Sequence, residues 1–182
     1  MKHFLPLNIL RTLYCSLIQS QLIYCILVWG FDCDRIEKVQ KKSIRTITCS
    51  KYNAHTEPLF KNLKLLKIKD LYKLNLLKFC YNLKNNKVPA YFYNFDIRPT
   101  RDCHDHATRS NHLIPKYVTR TKYAQNCVRH QLPSILNNTD NMIISKINTH
   151  SYKGYSEYIK RYIISNYSEV CLKPVCYICE RK

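Results

Sequence analysis

Apolar residues at helical spacing in residues 34–83 constrain the fold more than any other feature of the sequence. In residues 34–47 they recur at steps of three and four, which predicts an amphipathic helix with one narrow buried stripe. That stripe comprises Ile36, Val39, Ser43, Ile44 and Ile47. Asp34, followed by Glu37 three residues later, predicts a capping box at the start of this helix.

Two further helices are predicted after the first. Thr56 is the expected N-cap of a short helix with Pro58 in its first turn, and Asp70 is the expected N-cap of the next. The second of these is predicted to bury Leu71, Leu74, Leu77, Cys80 and Leu83. The chain has only 2 glycines, which disfavours Gly-rich phosphate loops and hairpin-rich β folds and favours helices.

The remaining segments differ in their regularity. Residues 6–31 predict one long helix whose end near Trp29 is apolar all round and should be buried. Residues 96–121 show little periodicity and predict a loop or linker, with a strand near residues 113–118. Further helices are predicted in residues 122–137, with an interruption at Pro133, and in residues 140–148 and 154–167.

The predicted fold is therefore mainly α. Its parts are a small helical bundle in residues 5–95, an irregular linker in residues 96–121, a smaller helical C-terminal region in residues 122–170 and a Cys-containing tail in residues 171–182.

The charge of the chain predicts a polyanionic partner. Lys and Arg number 30 against 12 Asp and Glu, a formal charge of +18, which favours nucleic acid or an anionic membrane surface. A solvated basic surface without a partner is the alternative. The candidates for contact with backbone phosphates are Lys38, Lys41, Lys42 and Arg45. Aromatic residues in the same region either stack on bases or fill core positions, namely Tyr52, Tyr72, Tyr81, Tyr91, Phe92 and Tyr93.

The cysteines permit a zinc site in the tail. Cys176 and Cys179 form a Cys-x-x-Cys pair with Cys171 five residues upstream, and zinc requires four such ligands. The fourth would come from the linker, from Cys103, His104, His106 or His112. Free thiols in the tail are the alternative, in which case the chain has no cofactor.

The compartment is predicted from what the N-terminal half contains. Cys15, Cys25 and Cys80 lie in helical apolar patterns, where a reduced thiol serves as a small hydrophobe. No convincing signal peptide precedes them, and the apolar run in residues 22–29 is shorter than the roughly 20 residues that span a bilayer. We predict an intracellular protein, nuclear or cytoplasmic, with no membrane partner.

Three blocks of the sequence carry a resemblance to a known family. They are LRTLYCSLIQSQLIYCILVWG, EKVQKKSIRTIT and HTEPLFKNLKLLKIKDLYKLNLLKFCYNLKNNKVPAYF, within residues 10–92. Together they resemble the region downstream of the polymerase core in non-LTR retrotransposon reverse transcriptases of the jockey/CR1 type. The resemblance implies that residues 5–95 form a thumb-like bundle that grips template–primer duplex. It also implies that Lys38, Lys41, Lys42 and Arg45 contact the duplex backbone.

One departure from that family decides the functional expectation. Such polymerases carry a Tyr/Phe-x-Asp-Asp motif that holds two metal ions, and the present sequence has no adjacent aspartates. No catalytic residue transfers, so we expect a non-catalytic C-terminal fragment of an RNA-directed DNA polymerase that lacks its palm and fingers. Residual binding of RNA or DNA is the expected activity. The alternative is a structural or interaction module with a zinc-binding Cys tail, and the oligomeric state is left open.

Overall fold

The computed structural model describes residues 5–92, 94–95, 97–103, 106, 109 and 112–168, which are mainly helical and contain no strand. The prediction of a mainly α fold is confirmed. The α-helices of the described residues are α1 (Leu7–Leu13), α2 (Ser20–Ile23), α3 (Ile26–Trp29), α4 (Asp34–Ile47), α5 (Glu57–Asn62), α6 (Ile68–Lys84), α7 (Lys122–Asn126), α8 (Val128–Asn137), α9 (Asn141–Ser145) and α10 (Tyr152–Ser165). A π-helical segment, Tyr14–Gln19, joins α1 to α2, and single 3₁₀ turns lie at Ala90–Phe92 and Thr100–Asp102.

The chain forms two compact units. Unit 1 comprises Met1–Tyr72 and Lys160–Lys182, and unit 2 comprises Lys73–Ile159. Helices α6 and α10 each contribute residues to both. The four sequence segments proposed above as domains stay predictions.

In unit 1, the predicted continuous helix over residues 6–31 is wrong. The helical path breaks at Tyr24 and Cys25, and Cys25 has a left-handed backbone with φ of 49°. The Trp29 indole Nε1 donates to the Tyr24 carbonyl at 2.8 Å, which satisfies a backbone acceptor that the break leaves without a helical partner. Helix α3 begins after this turn, at Ile26.

The predicted burial of the Trp29 end is also wrong. Ile26 is buried, but Val28 is 73% exposed and Tyr24 is 75% exposed. Gly30 follows, and a Cβ there would lie 2.5 Å from both the Ile26 carbonyl oxygen and the Tyr72 ring. Any side chain at this position would clash with these atoms, which explains why residue 30 is a glycine.

The predicted helix caps differ from the observed ones. The N-cap of α4 is Cys33, and Asp34 starts the helix, so the expected capping box does not form. Asp34 and Glu37 instead pair with lysines. Thr56 occupies the predicted N-cap of α5 but makes no side-chain cap hydrogen bond. Asp70 lies in the first turn of α6 and not at its N-cap, because α6 begins two residues earlier at Ile68.

Helix α6 confirms the predicted inward face. Its five predicted core residues are all buried, with exposed fractions of 8% or less at Leu71, Leu74, Leu77, Cys80 and Leu83. Burial raises the pKa of the Cys80 thiol to about 11, so this thiol stays protonated at neutral pH.

The irregular part of unit 2 is held by polar cross-links. The predicted strand at residues 113–118 is wrong for the described chain. Its backbone polar groups bond elsewhere: the Asn137 side chain accepts from the Ile114 N–H and donates to the Ile114 carbonyl, both at 3.0 Å. The Leu113 carbonyl accepts from both the backbone N–H and the hydroxyl of Thr100.

The helices of unit 2 break at an unexpected place. Helices α7 and α8 separate at Cys127, whose backbone is extended, and not at Pro133, which lies inside α8 and is buried. Burial of Leu132, Pro133 and Leu136 offsets the lost hydrogen bond, so tertiary packing overrides the local propensity.

Candidate nucleic-acid interface

Helix α4 carries the predicted phosphate-contacting residues. Lys38, Lys41, Lys42 and Arg45 are spaced three, four and seven residues apart, so they share one face of the helix. The opposite face contains Gln40 and Ile44, which are 1% and 0% exposed. The helix is therefore amphipathic in the expected sense, with its cations turned away from the core.

The buried stripe of α4 is displaced from the predicted one. Val39 is 62% exposed, and the Ser43 hydroxyl donates to the Val39 carbonyl and not to a core group. The observed stripe passes through Gln40, which the sequence reasoning omitted because glutamine is rarely buried. Its spacing of four residues from both Ile36 and Ile44 was the available signal.

The Gln40 amide is fully bonded inside unit 1. Its Nε2 donates to the Tyr14 hydroxyl at 2.9 Å and to the Leu66 carbonyl at 3.0 Å. Its Oε1 accepts from the Ile68 backbone N–H at 2.9 Å, at the first residue of α6. These bonds make burial of the polar side chain tolerable and connect α4 to the π-helical segment and to the start of α6.

The four predicted cations are not electrostatically equivalent. Lys38 and Lys42 are exposed, and no carboxylate in the described part of the chain pairs with either. Lys41 pairs with Glu37 one turn earlier on α4. Arg45 is half-buried, and its Nε donates to the Ala54 carbonyl at 2.8 Å. Its terminal nitrogens still carry four N–H donors.

Acidic residues at the start of α4 are occupied by lysines. Lys69 Nζ lies 2.8 Å from Asp34 Oδ1 and 3.3 Å from Glu37 Oε2. The hydrogen bond from Lys69 lowers the pKa of Asp34. Burial would raise the pKa of Glu37, but the hydrogen bonds from Lys41 and Lys69 outweigh it and lower that pKa. These carboxylates therefore stay ionised. Both form ion pairs with Lys69, and Glu37 also pairs with Lys41, whereas Lys38 acts on Asp34 only through its charge and forms no ion pair with it.

A small cavity lies at the C-terminal end of the cationic face. It has a volume of about 260 Å³ and is lined by Lys42, Arg45, Thr46, Ser50 and Tyr52. The cavity combines two cations with hydroxyl groups, and none of its lining residues is acidic.

The structure separates the predicted stacking aromatics into two groups. Tyr72 and Tyr81 are 7% and 5% exposed and belong to the core, whereas Tyr52 and Tyr91 are each 81% exposed. Phe92 packs edge-on against Phe79 in unit 2, at 5.4 Å between ring centroids. Tyr93 lies outside the described residues. Of the exposed pair, Tyr52 lies in the same unit as α4 and Tyr91 lies in unit 2.

The turn between α5 and α6 contains a second set of cations. We call residues 57–70 the α5–α6 corner. Lys67 Nζ lies 2.9 Å from Glu57 Oε1 and 4.6 Å from the centroid of the Tyr167 ring. The Tyr167 hydroxyl donates to Asp70 and accepts from the Lys67 backbone N–H, while Lys61 Nζ donates to the Tyr167 carbonyl. Lys61 and Lys67 therefore bind groups within unit 1 and contribute to its stability.

A larger cavity of about 580 Å³ lies in unit 2, between the polar cross-links described above. Its lining includes Lys84, Arg101 and His112 together with several asparagines. The residues that line it include neither cysteine nor serine.

The predicted zinc ligands of the tail, Cys171, Cys176 and Cys179, lie outside the described residues, as does His104. Within the described part of the chain, no group of three or more His, Cys, Asp or Glu side chains is placed to hold a metal ion. The zinc site stays a prediction.

No helix of the described residues combines the length and the apolar character needed to cross a membrane. Comparisons of the chain with protein-family models, with curated proteins and with solved structures give no match.

Proposed function

We propose that this protein binds the sugar–phosphate backbone of RNA or DNA through the cationic face of α4. The observation that carries the proposal is the pair of exposed lysines, Lys38 and Lys42, on a face with an unneutralised excess of charge. Lys41 and Arg45 lie on the same face. Lys41 is partly neutralised by Glu37, and Arg45 donates a hydrogen bond to the Ala54 carbonyl.

The dimensions of the face suit a duplex. From Lys38 to Arg45 the helix advances by about 10 Å at 1.5 Å per residue. A duplex carries one negative charge per roughly 1.7 Å of its axis, so several phosphates lie within that length. Side chains of lysine and arginine extend far enough to reach phosphates on either side of the helix axis.

The resemblance to non-LTR reverse transcriptases supports the same proposal, since the thumb of such polymerases grips template–primer duplex. On this proposal the chain contributes backbone binding and no polymerase chemistry. The metal-binding aspartate pair of those polymerases is absent from its sequence.

The test is the salt dependence of binding to a labelled DNA duplex and to an RNA–DNA hybrid, followed by fluorescence anisotropy. We expect the Lys38→Gln/Lys42→Gln variant to bind either nucleic acid about tenfold more weakly at moderate salt. Its log–log salt slope should be smaller by roughly 1.8, because each neutralised phosphate contributes about 0.9.

The matched control is Lys87→Gln/Lys116→Gln, which removes the same charge from two exposed lysines of unit 2. It should change the affinity far less. Wild-type binding that does not vary with salt, or equal losses in the two variants, would refute the proposal.

A further inference from the structure

The loop that follows α4 is fixed at both of its ends. The Ser50 N–H donates to the Arg45 carbonyl at 3.0 Å across Cys49, whose left-handed φ of 52° closes the helix. At the other end, Arg45 Nε donates to the Ala54 carbonyl, and the Ala54 N–H donates to the Lys51 carbonyl. Tyr52 lies between these anchors, so its backbone has a defined position although its side chain is 81% exposed.

The cavity beneath this loop has the chemistry of an anion site. Lys42 and Arg45 supply positive charge, and Thr46 supplies a hydroxyl donor. The Thr48 and Ser50 hydroxyls lie 2.8 Å apart, which fixes one wall. A volume of about 260 Å³ is several times the roughly 30 Å³ that a water molecule occupies in the liquid, so a phosphate group fits with some of its water.

Tyr52 is one of the residues that line the same cavity. A nucleotide carries its base next to its phosphate, so a phosphate held by Lys42 and Arg45 would bring the adjoining base to the exposed ring. Bases that are paired inside a duplex are already stacked on their neighbours and cannot present a face to a side chain. An unpaired base can.

We infer that Tyr52 stacks on an unpaired base whose phosphate is bound by Lys42 and Arg45, so that this end of α4 is a subsite for single-stranded RNA or DNA. The inference rests on the proposed function, which it deepens by naming the class of nucleic acid. Duplex backbone binds along the face at Lys38 and Lys42, and Tyr52 adds affinity only where a strand is unpaired.

The experiment compares Tyr52→Leu and Tyr52→Phe with the wild-type full chain, using a single-stranded oligonucleotide and a blunt duplex of equal length. We expect Tyr52→Leu to bind the single strand about tenfold more weakly and the blunt duplex with unchanged affinity. Tyr52→Phe keeps the aromatic face and should bind both like the wild type. The control is Tyr123→Leu, which removes a ring that is 82% exposed in unit 2 and should leave both affinities unchanged.

The outcomes distinguish this inference from the proposed function. Salt-dependent binding by the wild type with no effect of Tyr52→Leu on the single strand would overturn the inference and leave the proposed function standing. An equal loss for single strand and blunt duplex would assign Tyr52 to general backbone contact and would also overturn it. Absence of binding to either nucleic acid would overturn both. Circular dichroism of each variant checks that the exposed substitution leaves the helices intact.

Discussion

Two groups of lysines in unit 1 have the same side chain and opposite roles. Lys38 and Lys42 lie on the outer face of α4 with no carboxylate partner among the described residues. Lys67 and Lys69 are bound to Glu57 and to Asp34 and Glu37, respectively. The comparison teaches that a net charge overstates the charge available to a partner, because part of it is neutralised within the fold.

The largest effect should come from the residue that lies between the two groups, Gln40. We expect Gln40→Ala to lower the free energy of unfolding by about 3 kcal/mol, because it leaves the Tyr14 hydroxyl, the Leu66 carbonyl and the Ile68 N–H without their buried partner. Urea denaturation followed by circular dichroism measures this loss.

The control for that variant is Gln21→Ala, an exposed glutamine in α2. It should alter the free energy of unfolding by less than about 0.5 kcal/mol. A Gln40→Ala variant as stable as this control would show that the amide does not hold α4 in place.

An intermediate effect is expected at the α5–α6 corner, where the Tyr167 hydroxyl donates to Asp70 and accepts from Lys67. Tyr167→Phe should lower the free energy of unfolding by about 2 kcal/mol, because the carboxylate and the N–H lose a buried partner. Tyr123→Phe, which changes an exposed hydroxyl, is the control and should have no effect.

The pH dependence of this contact has a definite sign. Burial, and then the charge of Asp70, raise the pKa of Tyr167. The stabilisation is therefore fully present below the unfolded-state pKa of about 10 and is lost as the pH rises through the higher folded-state value. Tyr167→Phe should remove that alkaline loss, and an unchanged alkaline profile would contradict the assignment.

The smallest effect should be an acid loss at the Lys69 contacts. The pKa values of Asp34 and Glu37 are lowered, so their stabilisation is present above the unfolded-state values of about 4 and is lost as the pH falls through the folded-state ones. Both Lys69 and Asp34 are solvated, which keeps the effect small. Unfolding curves measured in steps below neutral pH should show a flatter acid loss for Lys69→Met than for the wild type.

Lys42→Gln is the matched comparison for that titration, because it removes a lysine from the outer face of α4. It should leave the acid profile unchanged. If the two variants behaved alike, the distinction between paired and available lysines would fail.

The sequence predicted helices well where packing and propensity agree. The buried face of α6 follows a leucine-rich period and was read correctly. The break within residues 6–31 was not predicted, because the residue with the left-handed backbone is Cys25, and no glycine or proline at that position indicates a break. The break between α7 and α8 was misplaced for a related reason: Pro133 is the stronger local signal, but burial makes it tolerable inside α8.

The candidate site was predictable in its residue types and not in its details. Helical spacing places the four cations on one face without any knowledge of the fold. Helical spacing also identifies the pairing of Lys41 with Glu37. It does not identify the contact of Lys69 with the same carboxylate or that of Arg45 with the Ala54 carbonyl. The cavity beside Tyr52 depends on a loop closed at Cys49, where again no glycine marks the left-handed residue.

The hydrogen bonds of Gln40 also fix the rotation of α4 about its own axis. Each residue turns an α-helix by about 100°, so a shift of one residue in the packing would swing the lysines far around the helix axis. Hydrophobic contacts alone tolerate such a slip, since they have little directionality. A single amide whose hydrogen bonds fit only one orientation does not tolerate that slip. The direction in which α4 presents its lysines is therefore set by an uncharged residue on its buried face.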